Sequence, residues 1–188
     1  MSDATTTERS RALFASAHQA LLFAYTFSAN QHAVTAAAER AIALHARERY
    51  AAAPHLSRGL GGLDGAAQAG MIKRGVDAMA APYRQCIEAR FAVLQVGVQV
   101  RAMRELVLFA RRRLQPELFD LQLTCALVQR HYGARVSMLS LAAERSVTER
   151  TMRTRYRTVR DVLQAYDREA MRRVELALER AGICEVVA

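Results

Sequence analysis

Four arginines and a threonine, Arg150, Arg153, Thr154, Arg157 and Arg160, fall within eleven residues near the C-terminal end of the chain. On a helix, side chains three and four positions apart share a face, so these groups would project together from one side. A guanidinium in such a row pairs with the O6 and N7 edge of guanine or with phosphate oxygens. Thr148, just ahead of them, supplies a hydroxyl suited to capping that helix, and it belongs to the same candidate DNA-contacting set. A second basic cluster, Arg111-Arg112-Arg113, suits two roles equally. It can face the negative end of a helix dipole, or it can touch phosphate.

Other chemistries find little support in the residue types. The five histidines, His18, His32, His45, His55 and His131, are dispersed, with no HExxH pair and no close His/Cys/carboxylate spacing. His18 and His32 could meet across a helical hairpin, but their spacing does not require it. No serine occupies a GxSxG elbow. Cys86, Cys125 and Cys184 are too few and too scattered for a disulfide framework or a zinc site. Cys125 lies in an apolar run and reads as a small buried hydrophobe. Gly59, Gly61, Gly62 and Gly65 crowd one stretch, but their spacing fits neither a dinucleotide fingerprint nor a P-loop. The expectation is therefore no catalytic residue, no metal and no cofactor, hence no enzyme.

The charge balance points to polyanions. Across 188 residues the net charge is +9, and Lys73 is the one lysine among 27 basic residues. Excess positive charge favours nucleic acid or an acidic protein surface. It is also concentrated: from Arg145 to Arg173, nine arginines stand against Glu149, Asp161, Asp167 and Glu169, a net +5. A hydrophobic content of 52% is enough to build a core. The longest apolar stretch, Phe91 to Val100, is broken by Gln95, Gly97 and Gln99, so no membrane span is expected. The first residues lack a secretory layout, and a cytoplasmic location follows as the expectation.

These groups must be positioned by helices. The pattern predicts an all-α fold, with a multi-helix N-terminal bundle followed by a C-terminal helix-turn-helix and a long terminal helix. Met1 to Thr7 should fray, and helical spacing begins at Glu8, with Leu13, Ala17, Ala20, Leu21 and Ala24 on one face. A break near Ser28 to Gln31 and an alanine-rich helix from Ala33 to Ala52 follow. After the glycine-rich loop from His55 to Gly65, Asp64 reads as the N-cap of a helix to Met79. One long helix is then expected from Pro82 to Leu114, with Val96, Val100, Met103, Val107, Ala110 and Leu114 at helical spacing. Pro116 should open the next helix, which ends at His131-Tyr132 with Gly133 as a left-handed stop. The domains expected are residues 1–115, for oligomerisation or partner binding, and residues 116–188, for DNA.

The segment from Leu121 to Leu163 breaks into helix, connector, short helix, tight turn and long helix. Leu139, Leu141 and Ala142 belong to the short helix, and Val147 plugs the turn. Met152, Tyr156, Val159 and Leu163 step by four, three and four, forming an inward face opposite the arginines. Beyond Leu163, the apolar pattern through Tyr166, Met171, Val174, Leu176 and Leu178 could extend that helix or form another. It could pack on the N-terminal helices or pair two copies into a homodimer.

Leu141-Ala142, Val147, Thr148, Thr151-Met152 and Arg153 together resemble the helix-turn-helix of sigma-factor region four and related response regulators. The helix ending in His131-Tyr132-Gly133, with Ser137 before the motif, resembles phage late-gene antiterminators of the Q type. Arg145 departs from that pattern, standing where an apolar residue is usual, and Ser146 replaces the turn glycine. The first 115 residues carry no such resemblance. The resemblance implies a double-stranded-DNA-binding transcription regulator of phage or prophage origin that acts on RNA polymerase as an antiterminator. Two alternatives are a phage DNA-packaging component like a small terminase subunit, and a basic module that grips an acidic protein.

Overall fold

Glu149–Arg180 is the longest helix among the described residues, and every other described helix packs on it. At 1.5 Å per residue its 32 residues reach about 48 Å. The computed structural model describes residues 13–32 and 62–184. Within them the chain is all-helical: α1 (Ala17–His32), α2 (Gly62–Asp77), α3 (Ala81–Phe91), α4 (Val96–Arg111), α5 (Leu121–His131), α6 (Met138–Glu144) and α7 (Glu149–Arg180). The expected frayed start, the onset of helix at Glu8, the helix from Ala33 to Ala52, and Gly59 and Gly61 of the glycine run lie outside the described residues.

The core follows from one apolar stripe along α7. Met152, Val159, Leu163, Ala170, Val174 and Leu178 are buried at helical spacing, the first four completely. Burying a side chain of this size contributes about 1.5–3 kcal/mol, so the stripe anchors the helix through its whole length. Leu123, Leu127 and Val128 of α5 and Leu141 and Ala142 of α6 are buried in the same core, as are Leu21 of α1, Ile72 of α2, Ile87 of α3 and Leu106 of α4. The apolar pattern beyond Leu163 therefore continues α7 as one helix packed against the N-terminal helices, except for Leu176, which is exposed. α7 ends in a Schellman turn, with Gly182 at φ +67° and the Ile183 N–H donating to the Leu178 carbonyl at 2.9 Å. Phe14 N–H then donates to the Ile183 carbonyl, tying the segment before α1 to the one after α7.

Several boundaries differ from the sequence expectations. α1 begins only at Ala17, so Leu13, expected on its inner face, precedes the helix and is exposed, and the helix runs through Ser28 to Gln31 without a break. α2 starts at Gly62, which puts Asp64 in its first turn rather than at its cap, and it ends at Asp77 rather than Met79. The long helix expected from Pro82 to Leu114 is two helices, parted at residues 92–95 and ending at Arg111. Glutamines hold the break open: Gln95 Nε2 donates to the Tyr25 carbonyl at 3.1 Å and Gln99 Nε2 to the Ala89 carbonyl at 2.9 Å. The Gln99 bond satisfies a carbonyl in the last turn of α3, and the Gln95 bond ties the break to α1. Val100 of the expected stripe is exposed, and Ala102 and Leu106 join Val107 and Ala110 inside. Pro116 lies in a turn, not a first helical turn; α5 begins at Leu121, capped by Asp120, whose Oδ1 accepts from Leu123 N–H at 2.8 Å. Cys125 is only half-buried, while Cys86 and Cys184 are the buried cysteines. Among the described residues no helix is long and apolar enough to cross a membrane.

Candidate nucleic-acid interface

Local hydrogen bonds set the angle between α6 and α7. Ser137 caps α6 by accepting from Ser140 N–H at 3.2 Å. The helix stops in a second Schellman turn, where Val147 N–H donates to the Ala142 carbonyl and Ser146 N–H to the Ala143 carbonyl. That geometry needs a left-handed residue, and Ser146 takes it at φ +52°. Val147 is half-buried against the core. Thr148 then caps α7, its Oγ1 accepting from Thr151 N–H at 3.2 Å. Thr148 is thus engaged in starting the helix, and its hydroxyl also lies 2.9 Å from that of Thr151.

Arg145, standing where an apolar residue is usual in that motif, makes an ion pair instead. Its guanidinium reaches across to Asp120 with both terminal nitrogens, Nη2 donating to Oδ1 at 3.1 Å and Nη1 to Oδ2. The Leu123 N–H and the Arg145 guanidinium hold the Asp120 carboxyl below the usual aspartate range. The turn is therefore tied to the N-terminus of α5 by a two-pronged ion pair.

With Met152, Val159 and Leu163 buried and Tyr156 half-buried, the other face of α7 meets solvent. Arg150, Arg153, Thr154 and Arg157 are exposed on it and Arg160 is half-buried. They are not equivalent. Arg153 donates to Glu149 through Nε and Nη2, at 2.9 and 2.6 Å, and Arg160 pairs with the neighbouring Asp161 at 3.0 Å. Arg150 and Arg157 have no carboxylate partner among the described residues. The Thr154 hydroxyl donates to the Arg150 carbonyl at 3.1 Å.

The arginines also divide between two grooves. One, about 390 Å³, brings Arg153, Arg157 and Arg160 together with Arg130 of α5, over Tyr156. The other, about 600 Å³, lies between α7 and residues 113–119 and brings Arg150, Thr154 and Arg155 to Arg113. The basic triplet splits accordingly. Arg111 is the half-buried last residue of α4, Arg112 is its C-cap and lies over the Phe109 ring at 5.4 Å, and only Arg113 reaches the α7 grooves. Arg113 rests on the Tyr166 ring at 5.4 Å.

Two members of this surface, Arg155 and Arg130, lie outside the row that sequence spacing marks. Arg155 sits one position from a buried-face residue, where a helical pattern alone does not separate flank from interior. Arg130 lies 23 residues before Arg153 and reaches the groove because its guanidinium donates to the Val136 carbonyl and stacks on Tyr156 at 5.5 Å.

Away from these grooves is a buried polar cluster that chain spacing conceals. Asp167 Oδ2 accepts from Arg90 Nη2 at 2.6 Å and lies 2.9 Å from His131 Nε2, while Tyr132 Oη donates to Oδ1 at 3.0 Å. The cluster joins α3, α5 and α7, so carboxylates here are not confined to the helix surface. Burial pushes the Asp167 carboxyl up, but the His131 hydrogen bond and the Arg90 charge outweigh it and hold the carboxyl below the usual range. Burial and the nearby Asp167 carboxylate push the neighbouring Cys86 thiol up to about 12, which suppresses the thiolate a nucleophile would need. No group of three or more histidine, cysteine or acidic side chains among the described residues could hold a metal ion. Comparison with family models, with curated proteins and with solved structures finds no match to this chain.

Proposed function

We propose that this chain is a sequence-specific regulator of transcription that binds double-stranded DNA. In this reading α6, the Ser146 turn and the first half of α7 act as a helix-turn-helix, and the outer face of α7 enters the major groove. The observation that carries it is the state of Arg150 and Arg157. Both are exposed cations without a carboxylate partner among the described residues, on a helix whose opposite face is locked in the core. Guanidinium groups held on a rigid element are preorganised for bidentate pairing with guanine edges or phosphate. The resemblance carried by His131-Tyr132-Gly133, Ser137 and the motif after it gives the reading its specific form. That form is a phage or prophage regulator whose second partner is RNA polymerase.

The test is selection from a pool of genomic DNA fragments across a salt series, with wild type beside an Arg150→Ala/Arg153→Ala/Arg157→Ala variant. The expected result is a set of enriched fragments, a log–log salt slope of about −4 to −6, and loss of those fragments with the variant. Equal binding by the variant, or no enrichment by wild type, would reduce the surface to a solvated helical hairpin.

A further inference from the structure

The arginines of α7 spread from its outer face towards both flanks, where two separate grooves run. Arg153, Arg157 and Arg160 line the groove shared with Arg130, whereas Arg150 and Arg155 line the groove shared with Arg113. A helix resting on a flat anionic surface, such as an acidic protein patch, needs charge on one face only. Charge on two flanks suits a helix seated between two rows of anions. With side chains, an α-helix is about 10–12 Å across, and the major groove of B-form DNA is about 12 Å wide, with a phosphate row along each wall. A-form RNA has a major groove too deep and narrow for such a fit.

The groove beside residues 113–119 is the more telling one. It presents three guanidinium groups, from Arg113, Arg150 and Arg155, and no carboxylate lines it. Its floor includes Leu118 and buried Phe119. Arg113 is held in place by stacking: its guanidinium lies over Tyr166, Tyr166 meets Tyr83 edge-on at 6.2 Å, and Arg173 lies over Tyr83 at 4.1 Å. This ladder ties a cation from the α4–α5 connector to α3 and α7.

Resting on the DNA-binding reading above, we propose that the two grooves grip opposite strands of one duplex. The Arg113–Arg150–Arg155 groove receives phosphodiesters of one strand, and the Arg130–Arg157–Arg160 groove receives those of the other. Arg113, Arg130 and Arg155 thereby become strand-positioning residues, and the ligand is B-form duplex rather than single-stranded DNA or duplex RNA.

Phosphate-ethylation interference on an enriched duplex tests this, using full-length wild type, Arg113→Ala/Arg155→Ala and Arg157→Ala/Arg160→Ala. Wild type should show interference on both strands across one major groove. Each double variant should lose the signals of one strand, a different strand in each case, with a salt slope shallower by about 2. The Arg113→Lys/Arg155→Lys variant keeps the charge and should keep the wild-type slope, which separates phosphate contact from a folding defect. The proposal is overturned if both alanine pairs erase the same strand, if Arg113→Ala/Arg155→Ala keeps the full slope, or if the lysine pair loses as much as the alanine pair. In those cases the α7 reading still stands, provided that the Arg150/Arg153/Arg157 variant loses binding. If that variant binds like wild type, the DNA-binding reading falls and takes this proposal with it.

Discussion

Arg145 and Asp120 are joined by two hydrogen bonds across 25 residues, and the same Asp120 carboxylate caps α5. One side chain thus sets where α5 begins and where the α6–α7 turn sits relative to it. Removing the carboxylate loses both functions, whereas removing the guanidinium loses one. Asp120→Ala should cost about 1–2 kcal/mol, with the cap the larger part, and Arg145→Ala about 0.5–1 kcal/mol, as expected of an exposed pair. Urea unfolding of both single variants and the double variant gives the coupling energy. A coupling of zero would make the pair incidental.

Ser146 occupies a left-handed conformation that glycine adopts without a side-chain penalty. Ser146→Gly should therefore raise stability by about 0.5–1 kcal/mol, and Ser146→Val should lower it by at least as much. Thermal unfolding of the two variants provides the measurement. A destabilised glycine variant would mean that the serine side chain contributes more than its backbone strain costs.

The depressed Asp167 carboxyl ties stability to acid. Its folded-state pKa lies below its unfolded value, near 3.9, so its contribution is fully present above that value and is lost as pH falls through the folded pKa. Asp167→Asn should unfold more readily at neutral pH, by on the order of 3 kcal/mol, and the gap to wild type should narrow towards pH 2. Denaturation midpoints at pH 7, 4 and 2.5 follow this. A gap independent of pH would assign the loss to packing alone.

Glu149 holds Arg153 with bonds of 2.9 and 2.6 Å at the start of α7. If that face meets DNA, the carboxylate both neutralises a contact and repels phosphate. Glu149→Gln should then tighten DNA binding severalfold at low salt, with a smaller gain as salt rises. Fluorescence anisotropy on one duplex would read this, and weaker binding would mean that the Glu149–Arg153 pair orients the arginine for contact.

Local sequence determined the helical class of the chain and much of its C-terminal third. Met152, Val159 and Leu163 reveal the inward face of α7 through spacing alone, and Ser137, Thr148, Gly133 and Ser146 mark caps and turns because their roles depend only on near neighbours along the chain. Tertiary structure decided what depended on distant partners. The break between α3 and α4 is held by Gln95 bonding to Tyr25, 70 residues away, and no local pattern encodes that bond. Arg90, His131 and Asp167 meet only because α3, α5 and α7 pack together, and Arg113 and Arg130 join the exposed arginines of α7 only because the α4–α5 connector and α5 lie beside it. Hydrophobic periodicity records which face of a helix turns inward. The identity of the neighbour it meets there, and hence which charges are paired and which are open to a ligand, is set only when the helices pack.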